Sequence, residues 1–221
     1  MRSPTPRAAA FFRLEGAVVP TPAVLAAGWL AANAQHVGQR ALRLGAVALT
    51  APFALGVGDP STGARLAWAA LRGTSEDRLR VLGEEYALAH LVPRIRPVAL
   101  DLVERARRDG CAIVVVSDHP EQVVTPVAEH LRADAVVANR LELRNGRATG
   151  RLCDPVVARF GGQPLRRWAV DHGVDLARSR AYGGAAEDQV LLSTIGLPCA
   201  VHPDRTLRRV ARDLDWPVVE G

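Results

Sequence analysis

The sequence predicts an α/β protein with a doubly wound parallel sheet and an all-helical cap inserted after the first strand. Three observations support this prediction. From about residue 97 onward, short apolar runs alternate with segments of helical spacing. The clearest run, at 111–116, is rich in β-branched residues, which is typical of a parallel strand buried on both faces. Residues 23–90 show helical spacing and no convincing strand, so the predicted division is a core of 1–22 and 91–221 and a cap of 23–90.

The first predicted strand covers residues 8–13, an apolar run that leads into a polar turn. Pro20 and Pro22 then break the chain, and Thr21 is placed to cap a helix over 23–34. The rest of the cap is predicted to contain helices at 35–49, 64–71 and about 75–90, a turn at 59–63, and a helix start at Thr74 or Ser75.

The core region alternates between strands and helices. Asn145-Gly146 is the strongest short signal for a tight turn, so residues 141–149 are predicted to form a hairpin. The other predicted strands are 111–116, 135–138, 179–182, 199–201 and 216–219. The predicted helices are 97–108, 120–131, 164–172, 188–193 and 204–213. Ligands of such folds usually bind at the carboxyl ends of the strands, so functional residues are expected there.

The composition limits the classes of function. The chain has 28 basic and 23 acidic residues, and every basic residue is arginine. The arginines are spread along the chain and aromatics are 5%, so no nucleic-acid partner is expected. No apolar run is long enough for a membrane span, and we expect no signal peptide. Three scattered cysteines fit a reducing compartment, so a cytoplasmic location is predicted.

Six short motifs occur in the order found in the haloacid dehalogenase (HAD) superfamily, and nearly the whole chain resembles its phosphoserine-phosphatase-like branch, the HAD-IB type. The motifs are Phe11-Phe12-x-Leu14-x-Gly16, Val114-Val115-Val116-Ser117, the hairpin at 145–150, the run at 181–188, the run at 196–204, and Trp216-Pro217-Val218. The resemblance implies a Rossmann-like core, a helical cap and a phosphatase that uses Mg²⁺. In such enzymes one aspartate attacks phosphorus, and a second aspartate two residues later acts as general acid and base.

The first motif departs from this pattern. Arg13 stands where the resemblance places the nucleophile, and a guanidinium can neither attack phosphorus nor bind Mg²⁺. Glu15 keeps a carboxylate at the acid/base position and is the candidate catalytic residue. The threonine of the motif is replaced by Ala17.

The later motifs are also incomplete. Ser117 could donate to a phosphate oxygen or cap the next helix, and both interpretations stay open. Asp118 joins Arg13 and Ser117 as a candidate ligand-binding residue, although a solvated loop position is favoured for Asp118 and His119. The chain has no lysine for the third motif, and its charge could come only from an arginine such as Arg159, Arg166 or Arg167.

In the fourth motif Gly184 replaces a metal-binding aspartate, which leaves Asp188 as the remaining candidate metal ligand. A position in the first turn of a helix, stabilised by the helix dipole, is the favoured interpretation of Asp188. We also predict that a buried Arg13 pairs with Glu15 and Asp188 and so replaces the charge of Mg²⁺.

The favoured function is a phosphatase-like protein whose catalytic site is degenerate, a pseudophosphatase. It would need no cofactor and could bind a small phosphorylated or anionic molecule through Arg13 and Ser117, or a protein partner through the cap. The alternative is an active phosphomonoester hydrolase that uses Mg²⁺ and Glu15 as the surviving acid/base. A third hypothesis is a different reaction that uses Glu15 in the same cleft.

Overall fold

The computed structural model describes residues 7–33, 44–45, 47–48, 60–153, 157 and 160–220. Its strands are β1 Ala9–Arg13, β2 Ala112–Pro120, β3 Ala135–Asn139, β4 Leu141–Arg144, β5 Arg147–Leu152, β6 Arg180–Gly183, β7 Leu197–Val201 and β8 Val218–Val219. Six of them form one sheet in the order β3-β2-β1-β6-β7-β8, and every pair in it is parallel. The hairpin of β4 and β5 is separate and antiparallel. The predicted doubly wound α/β fold is therefore confirmed.

Helices cover both faces of the sheet. They are α1 Ala23–Ala32, α2 Pro60–Ala69, α3 Glu76–Tyr86, α4 Pro97–Arg108, α5 Glu121–His130, α6 Gly162–Asp171, α7 Gln189–Thr194 and α8 Arg205–Asp213. After α3 the chain continues as a π-helix, Ala87–Leu91, and a 3-10 helix, Val92–Arg94; two further 3-10 helices are Leu176–Arg178 and Ala186–Asp188. Alternate residues of β1 point to opposite cores, since Phe12 packs with α1, α3, α4 and α5, and Phe11 packs with α6, α7 and α8.

Helices α1, α2 and α3 lie in the segment predicted as the cap, and its exact boundaries stay a prediction. The turn predicted at 59–63 is wrong from Pro60 on, because α2 begins at this proline. A proline fits the first turn of a helix, where an N–H would have no intrahelical partner. The helix predicted at 35–49 lies mostly outside the described residues.

The helix caps differ in part from the prediction. Helix α1 is preceded by Pro22 without a side-chain cap, so the prediction of Thr21 as a cap is wrong. Ser75 caps α3 by accepting a hydrogen bond from the Arg78 N–H at 3.4 Å, which decides between Thr74 and Ser75. Among the described residues, no helix has the length and apolar character needed to cross a membrane.

Strand β2 is longer than the apolar run that predicted it, and this extension positions the site. Arg13, the last residue of β1, pairs in register with Val116 of β2. The chain of β2 continues through Ser117, Asp118 and His119 to Pro120. These three residues therefore stand at the carboxyl edge of the sheet, directly beside the end of β1.

The cap segment is joined to the core by two sets of hydrogen bonds. Residues 73–76 run beside the hairpin: the Gly73 N–H donates to Ala148 O at 2.7 Å, and the Glu76 N–H donates to Gly146 O at 2.9 Å. In α2, the Trp68 indole N–H donates to the carbonyl oxygen of Asp118 at 3.2 Å. The predicted cap segment therefore contacts the end of β2, which carries part of the candidate site.

Candidate functional site

The candidate residues converge at the carboxyl ends of three neighbouring strands. Strand β1 lies between β2 and β6, and the chain contributes residues from the end of each. Arg13 ends β1 and Glu15 follows it, Ser117 and Asp118 lie near the end of β2, and Asp188 follows β6. All five predicted site residues are thus brought to one place, as expected for the carboxyl edge of a parallel sheet.

The Arg13 guanidinium lies among three carboxylates. Its Nη2 donates a hydrogen bond to Asp118 Oδ2 at 2.7 Å, and the same nitrogen lies 3.5 Å from Glu15 Oε2. Its Nε lies 2.6 Å from Asp188 Oδ1, an ion-pair contact without the angle of a hydrogen bond. Arg13 is only 4% exposed. The predicted pairing of Arg13 with Glu15 and Asp188 is confirmed, and Asp118 is a third partner that the sequence did not indicate.

Glu15 connects Arg13 to the residues at the end of β2. Its Oε1 accepts hydrogen bonds from the Ser117 hydroxyl at 2.6 Å and from the Asp118 N–H at 2.9 Å. The same oxygen lies 2.6 Å from His119 Nδ1, and because a carboxylate can only accept, we assign a proton to this nitrogen. The Ser117 hydroxyl is therefore already used within the protein. It does not cap α5, whose N-cap is Pro120 without a side-chain bond.

The interpretation of Asp118 and His119 as solvated loop residues is wrong. His119 is completely buried, and the Asp118 side chain is only 18% exposed and paired with Arg13. Both belong to the extended end of β2, which turns their side chains towards Glu15 and Arg13. His119 is the site residue that sequence analysis missed. Its position two residues after Ser117, close to the carboxyl end of a predicted parallel strand, was the available signal.

Burial and charge act in opposite directions on the acidic groups. Burial would raise the pKa of Glu15, but the charge of Arg13 and the hydrogen bond and charge of His119 outweigh it and lower this pKa to about 2. Burial raises the pKa of Asp188, and Arg13 opposes this shift. Burial alone would lower the pKa of Arg13, but its three carboxylates raise it above the ordinary value, so the guanidinium is always charged.

Asp188 is fixed by the backbone as well as by Arg13. Its Oδ2 accepts hydrogen bonds from the Gly184 N–H at 2.8 Å and the Ala185 N–H at 3.0 Å. The interpretation of Asp188 as a residue of a helical first turn is only partly right. It lies at the end of the short 3-10 helix before α7, but its carboxylate binds the preceding loop and Arg13.

Two glycines bring the loops after β1 and β6 into backbone contact. A Cβ atom added to Gly184 would lie 2.6 Å from the carbonyl carbon of Gly16 and 2.9 Å from the nitrogen of Ala17. Distances this short require the contacted backbone to shift, so any side chain at this position is costly. The replacement of the aspartate by Gly184 thus removes more than a carboxylate, because the backbone of the loop after β1 lies where a side chain at position 184 would be.

The residues present do not fit the Mg²⁺ that the family resemblance implies. A positive guanidinium lies between Asp118 and Asp188, and Gly184 provides no ligand. In the part of the chain that the structure describes, no three His, Cys, Asp or Glu side chains are grouped closely enough to hold a metal ion. Arg166 and Arg167, two suggested substitutes for the missing lysine, are exposed on α6, and Arg159 lies outside the described residues.

Comparisons with known sequences agree with this architecture. The model of a family described as haloacid dehalogenase-like hydrolase matches residues 12–193. The chain is 31% identical over 218 residues to the "Inhibition of morphological differentiation protein" of Streptomyces azureus, which covers 97% of this chain and 79% of that protein. It is 36% identical over 119 residues to the phosphoserine phosphatase of Streptomyces coelicolor, which covers 53% of this chain and 29% of that enzyme. The chain spans 45% and 54% of the length of two mycobacterial relatives.

Solved structures show the same fold. A Bordetella pertussis protein of unknown function superimposes with a TM-score of 0.80 at 24% identity, over 97% of this chain and 99% of that one. A phosphoserine phosphatase solved as a phospho-aspartyl intermediate analogue gives a TM-score of 0.65 at 19% identity, over 92% of this chain and 90% of that one. At these identities the likeness concerns the fold.

Proposed function

The chain belongs to the haloacid dehalogenase-like hydrolase family, and we propose that it is a phosphatase-like member that does not turn over phosphomonoesters through an aspartyl phosphate. One observation supports this most strongly. The residue at the position of the nucleophile is Arg13, buried and in contact with Asp118 and Asp188. A guanidinium held in this way cannot attack phosphorus, and it occupies the space between the carboxylates.

The remaining groups do not supply the missing chemistry. Phosphoryl transfer depends on cations and donors that stabilise the charge on the transferred group. Here the chain has no lysine, and Gly184 offers no metal ligand. Glu15 has a pKa of about 2, so it carries no proton at neutral pH and is unsuited to act as a general acid. This argues against the active-hydrolase alternative and against a different reaction that uses Glu15 as a general acid.

Binding of a small phosphorylated or anionic molecule stays a prediction, and the contacts set a condition on it. The Ser117 hydroxyl donates to Glu15, and the Arg13 guanidinium is shared among three carboxylates. An anion would have to displace at least one carboxylate from Arg13, against the negative charge of the other two. A phosphorylated ligand is therefore expected to bind this site weakly.

A member of the family that does not hydrolyse phosphomonoesters can still have a regulatory role, and we propose one for this chain. The S. azureus relative, which matches most of this chain, is named for inhibition of morphological differentiation and not for a reaction. We propose that this chain also acts by binding another molecule. The predicted partner is a protein that binds at the cap segment.

Hydrolysis of p-nitrophenyl phosphate and phosphoserine, with and without millimolar Mg²⁺, tests the proposal. We expect no Mg²⁺-dependent release of product above the buffer rate, because Arg13 stands at the position of the nucleophile and the described residues contain no metal site. The control variants are Glu15→Gln and Glu129→Gln, the latter on the exposed face of α5. Turnover by the unmodified protein that is lost in Glu15→Gln and kept in Glu129→Gln would overturn the proposal.

A further inference from the structure

The cluster of Arg13, Glu15, Asp118 and Asp188 contains more negative than positive charge, and it is buried. Three carboxylates surround one guanidinium, and the arginine side chain is almost completely shielded from solvent. Buried carboxylates need a compensating cation, because removing each of them from water is unfavourable. Arg13 supplies one such cation from within the chain, in contact with all three carboxylates.

The arrangement matches a guanidinium better than a metal ion. Asp118 Oδ2 accepts a hydrogen bond from Nη2, and Asp188 Oδ1 forms an ion-pair contact with Nε, so the two acidic side chains contact different nitrogens of one planar group. As they stand, the carboxylates are not grouped closely enough to share one ion. Two of the three are also fixed by backbone donors: Asp188 accepts from the N–H groups of Gly184 and Ala185, and Glu15 accepts from the N–H of Asp118.

We infer that this site is a guanidinium site in which the side chain of Arg13 permanently replaces the divalent cation of the family. The group that this site is suited to hold is a planar organic cation that donates hydrogen bonds. Neither the folding of the protein nor any ligand binding at this edge of the sheet then uses Mg²⁺. The contact between Gly16 and Gly184 supports the same conclusion, because the loop in which the resemblance places a metal ligand lies directly against the backbone of the loop after β1.

Chemical rescue tests the inference. The Arg13→Ala substitution removes the cation and leaves a hole lined by the same carboxylates. Millimolar methylguanidinium is expected to raise the midpoint of thermal unfolding of this variant by about 3 °C or more. Equal concentrations of urea, which is neutral and of similar shape, and of MgCl₂ should give a smaller rise. The unmodified protein and Arg180→Ala, which loses an exposed ion pair with Asp109, should show no specific response to methylguanidinium.

A rise with MgCl₂ as large as that with methylguanidinium, or no rise with either, would overturn the inference. If Arg13→Ala does not fold, binding of Mn²⁺ to the unmodified protein, followed by electron paramagnetic resonance, decides the question. The inference predicts no binding, or surface binding that Asp118→Asn leaves unchanged; binding that Asp118→Asn abolishes contradicts it. These readouts do not involve turnover, so a failure here is distinguishable from a failure of the proposed function.

Discussion

The Arg13→Ala substitution is expected to lower the free energy of unfolding by about 3–5 kcal/mol, the usual cost of removing one partner from a buried ion pair. The variant keeps the carboxylates of Glu15, Asp118 and Asp188 at the edge of the sheet but removes the cation that all three contact. Equilibrium unfolding in urea, followed by circular dichroism, measures the change. Arg13→Met, which keeps much of the side-chain volume, should be destabilised to a similar extent because the charge is what is lost.

Arg180→Ala is the matched control. Arg180 also forms an ion pair with an aspartate, Asp109, with 2.6 Å between Nη1 and Oδ2, but both side chains are partly exposed. An exposed pair contributes roughly 0–1 kcal/mol, because water screens the charges. If Arg13→Ala and Arg180→Ala reduce stability equally, the buried cluster does not have the energetic role described above.

The Gly184→Ala substitution is expected to cost about 1–3 kcal/mol, the range found when an interior is overpacked. The new Cβ would lie 2.6 Å from the carbonyl carbon of Gly16, and neither this atom nor the nitrogen of Ala17 can rotate away as a side chain could. Urea unfolding again provides the measurement. Gly184→Asp should cost more, since it adds a buried carboxylate beside three others.

Gly28→Ala is the control for this substitution and should act in the opposite direction. Gly28 lies inside α1, and the nearest atom to an added Cβ is Val47 Cγ1 at 4.0 Å. Alanine favours a helix over glycine, so a gain of up to about 1 kcal/mol is expected. If Gly184→Ala changes the free energy of unfolding by about as much as Gly28→Ala does, the loops after β1 and β6 are not in close backbone contact.

A variant with aspartate at both 13 and 184 is therefore expected to be destabilised, so its folding has to be measured before its activity is interpreted.

Much of the fold follows from local patterns that the sequence displays directly. The β-branched run before Ser117 predicts a buried parallel strand, and Asn145-Gly146 predicts the hairpin because both residues adopt positive φ angles, 51° and 68°. The convergence of Arg13, Glu15, Ser117, Asp118 and Asp188 follows from a general property of parallel sheets, whose strand ends meet at one edge. These predictions require only the order of the elements.

The internal arrangement of the site depends on three-dimensional distances. Strand β2 continues past its apolar run to Pro120, and nothing in the polar residues Ser117, Asp118 and His119 indicates this extension. It buries His119 and turns Asp118 towards Arg13, which made the prediction of solvated residues wrong. Likewise, Gly184 is visible in the sequence as a missing aspartate, but its contact with Gly16 is visible only in the structure.

The most direct test of the central claim, that Arg13 fills the cation position of this site, is a crystal structure of the unmodified protein grown with Mn²⁺ and measured for anomalous scattering. We predict guanidinium density between Asp118 and Asp188, as in the contacts described here, and no anomalous peak at those carboxylates. An anomalous peak coordinated by Asp118 and Asp188, with the Arg13 side chain displaced from both, would contradict the claim.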